Sequence, residues 1–212
     1  VWLPSRRHAC PARSHAAMTF RLGLTGSIGM GKSTTAQMFA ELGCAIWDAD
    51  AAVHRLYAPD GAAVLAISQA FPTAVVDGAV DRHALRGIIQ TDKTALPRIE
   101  AIVHPLVRAD RARFADDTTS DILVFDIPLL FETGADTEMD AVACVFVEAE
   151  TQRARVLARG TMTAAQFETI LSKQMPAKVK CARSGYVIRP DTFEHARQQV
   201  SDIVKKIRGR HA

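Results

Sequence analysis

The chain has 212 residues, 48% of them hydrophobic and 23% charged, which suits a globular protein with one sizeable core and at most a small insertion. Its formal net charge of +3 is too small to point to nucleic acid, and is equally what a pocket for polyanionic small molecules would leave. No apolar run reaches the length of a membrane span, because Ile122–Phe131 is broken by Asp126 and Pro128. The cysteines at positions 10, 44, 144 and 181 lack C-x-x-C spacing, so free thiols in a reducing cytoplasm are expected and a zinc site or redox dithiol is not. The excess of arginine over lysine and the absence of asparagine read as compositional bias.

Residues 1–17 carry Arg and Ser, lack acids and precede Met18, a composition shared with transit peptides. A mis-called start with Met18 as the true first residue is the preferred expectation, and the segment is left out of the fold. Phe20–Leu24 then reads as a short strand running into a Gly-rich turn. Ser33–Leu42 follows as a helix that Gly43 stops, and Cys44–Trp47 as a second strand ending at Asp48-Ala49-Asp50. Ala51–Tyr57, Ala62–Phe71, Asp81–Gln90 and Lys93–Phe114 are expected as helices, separated by Pro59-Asp60-Gly61 and Asp77-Gly78 turns.

Ile122–Ile127 and Ala141–Val147 are continuous apolar runs of the kind found in parallel sheets covered on both faces. Thr151–Arg159 and Ala164–Gln174 read as helices, the second opened by a Thr163/Gln166 capping box and stopped by Pro176. Tyr186–Ile188 is a last strand and Thr192–Arg208 a terminal helix. Strands alternating with helices predict an α/β fold with a mostly parallel sheet.

The most informative segment is Gly26-Ser27-Ile28-Gly29-Met30-Gly31-Lys32-Ser33, a G-x-x-x-x-G-K-[ST] P-loop in its required strand–helix context. Glycines let the backbone wrap closely round phosphate oxygens with N–H groups turned inward, and the following helix adds its positive N-terminal end. Lys32 reaches the β- and γ-phosphates in this reading, the Ser33 hydroxyl ligates Mg²⁺, and the first amide of Thr34 still faces phosphate. With no asparagine, an Asn-Lys-x-Asp guanine-reading motif is ruled out. A small-molecule kinase fits best, with a nucleoside or nucleoside-monophosphate kinase or an ATP-dependent switch module as the alternatives.

Asp48, Asp50 and Asp126 close strands on the side of the sheet where the P-loop opens, the ligand side of an open parallel sheet. Asp48 reads equally as a Mg²⁺-organising carboxylate or as an N-cap, and Asp126 equally as a Mg²⁺ carboxylate or a turn residue. Arg155 and Arg159, four apart, project from one face of their helix, either into solvent or over a transferring phosphoryl group.

Beyond the P-loop, Asp48-Ala49-Asp50, His104-Pro105-Leu106, Asp126-Ile127-Pro128-Leu129-Leu130-Phe131-Glu132 and Gln174-Met175 follow in order. With these blocks the chain resembles the dephospho-CoA kinase family over residues 19–187. The resemblance implies an α/β P-loop NTPase three-layer fold with a mostly parallel sheet, a helical CoA-binding insertion and a helical lid. It implies phosphorylation of the ribose 3′-hydroxyl of dephospho-CoA by ATP, giving CoA and ADP with Mg²⁺ as cofactor.

By the same resemblance, residues 18–50, 116–150 and 184–212 form the nucleotide core, 51–115 the acceptor domain and 151–183 the lid. Asp50 matches the base that takes the hydroxyl proton. Lys32, Arg155 and Arg159 complete the catalytic set, and Gly26, Gly29, Met30, Gly31, Lys32, Ser33 and Thr34 hold ATP. Asp50, His104, Leu130 and Glu132 are the expected CoA contacts, and Ser33, Asp48 and Asp126 the metal set. Neither nucleic acid nor a membrane is expected as partner, and a cytoplasmic monomer or weak homo-oligomer is. The family pattern is broken at Gly185 and Arg189-Pro190, where adenine is held, so weaker discrimination of ATP from GTP is expected.

Overall fold

The computed structural model describes residues 19–211. The expectation for residues 1–17 and the thiol of Cys10 lie outside them. The described elements are β1 (Phe20–Thr25), α1 (Lys32–Glu41), β2 (Ala45–Asp48), α2 (Ala49–Tyr57), α3 (Val64–Ala70), β3 (Val75–Val76), β4 (Ala79–Val80), α4 (Arg82–Thr91) and α5 (Ala95–Asp117). They continue with β5 (Ile122–Asp126), β6 (Ala141–Val145), α6 (Ala149–Ala158), α7 (Ala164–Ser172), α8 (Ala177–Arg183), β7 (Tyr186–Ile188) and α9 (Phe193–His211).

Five strands form one parallel sheet in the order β2-β5-β1-β6-β7. The continuous apolar runs follow from burial on both faces, since successive residues of a strand point to opposite sides. Along β5, Ile122 and Val124 join a core with Met38 and Phe39 of α1 and Val200 and Ile203 of α9. The intervening Leu123 and Phe125 join a second core with Trp47, Leu130 and Phe131, against which Phe114 of α5 packs. Each fully buried side chain of this size contributes about 1.5–3 kcal/mol relative to exposure. Both layers are therefore needed to hold the strand ends that carry the chemistry.

Residues between β2 and β5 build a third core of their own, centred on Leu56, Ile67, Phe71, Leu85, Ile99 and Val103. Asp81 caps α4 by accepting from the His83 and Ala84 N–H groups, and α5 runs through Pro105, whose missing N–H leaves the Ala101 carbonyl without its usual donor. The Asp77-Gly78 turn is a hairpin between β3 and β4, with φ of 48° and 76° at its two central residues, the left-handed pair that a tight hairpin requires. That hairpin was not expected, because strands of two residues leave no periodic pattern to read.

Two further differences lie near the end of the chain. The Thr163/Gln166 capping box forms as expected, but α7 ends at Ser172, before Pro176. Pro176 instead stands as the N-cap of α8, a short helix not expected from the sequence, where a proline gives up no helical N–H. Among the described residues the cysteines are free thiols, and no helix is long and apolar enough to cross a membrane.

Candidate active site

The phosphate loop is shaped by glycines that a side chain could not replace. Gly31 caps α1 at φ 93°, ψ 19°, and Gly29 stands at φ 78°, both in the left-handed region that an L-residue pays to enter. A Cβ on Gly29 would lie 2.3 Å from Val156 Cγ2 of α6, so the loop and that helix are in direct contact. Gly26, Gly29, Gly31, Lys32, Ser33 and Thr34 all face one cavity. Met30 has its side chain in the core at 1% exposure, which leaves its backbone to the loop. α1 begins one residue earlier than expected, so Lys32 sits on its first turn.

Asp48 and Asp126 end β2 and β5, Asp50 follows on α2, and the charges of Asp48 and Asp50 both act on Asp126. Asp48 and Asp126 are paired in the β2–β5 register, and the Lys32 ammonium is ion-paired to the buried Asp126. Burial pushes the Asp126 carboxyl up, Lys32 opposes that, and the charges of Asp48 and Asp50 add to the rise. Of the two readings of Asp48, the structure forms the N-cap: its Oδ1 accepts from the Ala51 N–H at 2.7 Å. Asp50 follows in the first turn of α2, exposed, with its side chain on the cavity wall.

Among the described residues no group of three or more His, Cys, Asp or Glu side chains could hold a metal unaided. The donors present are the Ser33 hydroxyl and carboxylates, all hard oxygens. That set fits Mg²⁺ carried in with a polyphosphate, which needs only one or two protein oxygens besides water and phosphate.

The cavity measures about 780 Å³, a volume suited to a cofactor-sized molecule. From the P-loop it extends to the helical insertion, where His104, Arg108 and Arg111 of α5 line it. Arg111 is buried and bound to Glu138 at 2.7 Å, whereas Arg108 is exposed and has no ion-pair partner among the described residues. Spaced four and three apart, these side chains share a helix face. That spacing is readable in the sequence from His104 onward, but neither arginine was expected at the site.

Two expected acceptor contacts are placed elsewhere. Leu130 is fully buried, and a Cβ on Gly23 would come within 2.9 Å of its Cδ2, so the glycine makes room for a core side chain. Glu132 is held by the Lys180 ammonium at 2.8 Å and is not among the cavity-lining residues, while its neighbours Leu129 and Thr133 are.

The segment expected as a lid bears directly on the loop. Gln152 of α6 donates to the Ile28 carbonyl at 2.7 Å, and the Ile28 N–H donates to Gln174 at 3.4 Å, so one residue of the P-loop is held at both its backbone groups by two glutamines. Gln152 is 4% exposed and gave no signal in the sequence. Arg159 lines the cavity. Arg155 instead donates to the Pro190 carbonyl at 3.0 Å, close to Gly31. At the departing segment, the N–H and carbonyl of Arg189 are both bonded to Gln199. Those backbone groups are thus already engaged, and Pro190 has no N–H to offer a base.

A family model described as dephospho-CoA kinase matches residues 20–194. A dephospho-CoA kinase of Ruegeria pomeroyi is 70% identical over 191 residues, covering 90% of this chain and 97% of that protein. One of Cereibacter sphaeroides is 58% identical over 189 residues, covering 89% and 96%. Among solved structures, a Thermus thermophilus protein is similar at a TM-score of 0.80 and 29% identity, covering 89% of this chain and 97% of that one. A dephospho-CoA kinase of Campylobacter jejuni shares the fold at 0.66 and 23%, covering 90% and 98%.

Proposed function

The chain belongs to the dephospho-CoA kinase family, and from that premise we propose how its own residues perform the reaction. The enzyme transfers a phosphoryl group from ATP to the ribose 3′-hydroxyl of dephospho-CoA, giving CoA and ADP, the last step of coenzyme A synthesis. The observation that carries the assignment of roles is the single cavity onto which Lys32, Asp50 and the α5 residues His104 and Arg108 all face.

The P-loop amides and the N-terminus of α1 hold the polyphosphate; Ser33 and Asp126 are the groups that would hold Mg²⁺, with Asp48 beside them capping α2. Bound with ATP, Mg²⁺ would neutralise charge on the polyphosphate. Arrival of the nucleotide gives Lys32 phosphate oxygens to bind in place of Asp126. Asp50 accepts the proton of the 3′-hydroxyl as that oxygen approaches the γ-phosphorus. Residues 51–115 act as the acceptor domain, in which Arg108 and Arg111 face the diphosphate of dephospho-CoA and His104 lies beside them. Residues 151–183 act as the lid, with Arg159 over the transferring group and Arg155 held ready by Pro190. Closure there excludes water that would otherwise hydrolyse ATP.

The test is to supply Mg·ATP to the purified protein with dephospho-CoA, with AMP, and with no acceptor, while following ADP and CoA. CoA formation with dephospho-CoA alone is the expected result. Turnover of AMP without turnover of dephospho-CoA, or ADP release that ignores the acceptor, would overturn it.

A further inference from the structure

Lys180, on α8, has 0% of its side chain exposed. An ammonium in such a place is costly unless its protons are matched by well-placed acceptors. Its Nζ donates to the Pro128 carbonyl at 2.8 Å and to Glu132 Oε1 at 2.8 Å. That same carboxylate oxygen accepts from the Met175 N–H at 2.8 Å, and Thr25 Oγ1 donates to the Pro128 carbonyl at 3.1 Å. Burial works against ionisation of Glu132, but the hydrogen bonds from Lys180 and Met175 outweigh it and hold the carboxyl below the ordinary glutamate range.

Four stretches of chain therefore converge on one buried cation: the end of β1, the loop after β5, the residues leaving α7, and α8 itself. Two of them reach the cavity. Pro128, Leu129 and Thr133 form part of its wall, and Gln174, one residue before Met175, lines it and holds the Ile28 N–H. Packing alone does not call for a lysine here, because an apolar side chain of similar volume commonly stabilises such a site as well or better. Directional bonds from an ammonium fix where a carbonyl and a carboxylate stand.

We propose that Lys180 is a positioning residue for the phosphoryl acceptor, locking the Pro128–Thr133 wall of the cavity to the base of the lid. This rests on reading that cavity as the dephospho-CoA site. It acts through Pro128 and Glu132 and touches no substrate. Small displacements of an acceptor are expensive, about a hundredfold in rate for roughly 1 Å.

The test compares Glu132→Gln, Glu132→Ala and the double variant Lys180→Met/Glu132→Gln, which strands no charge. Glu132→Gln keeps an acceptor for Lys180 and for Met175 and is expected to hold KM for dephospho-CoA within about threefold of the parent. The other two are expected to raise that KM by roughly tenfold or more and to lower kcat, with KM for ATP within about twofold. Folded Glu132→Ala or double variant with parental KM and kcat, and only a lower melting temperature, would make Lys180 a purely structural residue and overturn the proposal. Glu132→Ala decides alone if the double variant does not fold, since Glu132 is 20% exposed at the surface of the network. CoA formation by the parent in the same assay separates this outcome from a failure of the cavity assignment.

Discussion

Replacing Gly29 by alanine is expected to damage the enzyme through two separable effects, and a second substitution can remove one of them. The backbone at φ 78° is left-handed, which costs an alanine about 1–2 kcal/mol. The new Cβ would also lie 2.3 Å from Val156 Cγ2, with Val156 itself 1% exposed. Overpacking of this kind costs about 1–3 kcal/mol. Gly29→Ala should therefore destabilise by roughly 2–5 kcal/mol and weaken ATP binding, because the loop and α6 cannot both stay in place. Val156→Ala removes the clashing methyl at the cost of a small cavity, about 1–2 kcal/mol.

In the double variant the clash is relieved and only the backbone strain and the cavity remain, so a coupling of about 1–3 kcal/mol in the favourable direction is expected. Urea unfolding of the four proteins and titration with a fluorescent ATP analogue measure both effects. Additivity within about 0.5 kcal/mol would show that the loop does not rest on α6, and would refute this account of why position 29 is glycine.

Asp48→Ala should cost about 1 kcal/mol in a denaturant titration while Asp48→Asn costs little, since asparagine caps as well as aspartate; a large loss of kcat in Asp48→Asn would show a further role for the charge. Arg108→Ala should raise KM for dephospho-CoA by roughly tenfold or more with kcat little changed, the loss of a charged hydrogen-bond donor to phosphate; an unchanged KM would remove Arg108 from the acceptor site. Glu132 has a folded pKa below its ordinary value of 4.5, so the unfolded chain takes up that proton first on acidification. The stability it contributes is fully present above the ordinary value and is lost as pH falls through the lowered one. Glu132→Gln should therefore lose less stability than the parent between pH 6 and about pH 3, read from urea midpoints; equal losses would place the acid sensitivity elsewhere.

Much of the site was legible because its chemistry is local in sequence. The P-loop announces itself by three glycines and Lys32 within eight residues, and strand–helix context follows from apolar runs on either side. Asp50 was legible by its place after a strand end. What escaped is non-local or short. Lys180 belongs to a seven-residue helix with no periodicity to read, and its partners are 48 and 52 positions away. Gln152 looks like any surface glutamine on a charged helix until the loop is folded onto it. Leu130 was misplaced for a related reason: Pro128-Leu129-Leu130 gives no sign of which leucine turns inward, and the vacancy that receives Leu130 is made by Gly23, more than a hundred residues earlier.

Asp50→Asn, assayed for CoA formation beside direct ATP binding, addresses the proton transfer itself. The substitution keeps the size of the side chain and removes its basicity. ATP affinity should stay within about twofold of the parent while kcat falls by roughly a hundredfold or more, the usual share of a positioned base. A variant that binds ATP and still makes CoA at close to the parental rate would contradict the assignment of Asp50 as the group that receives the hydroxyl proton.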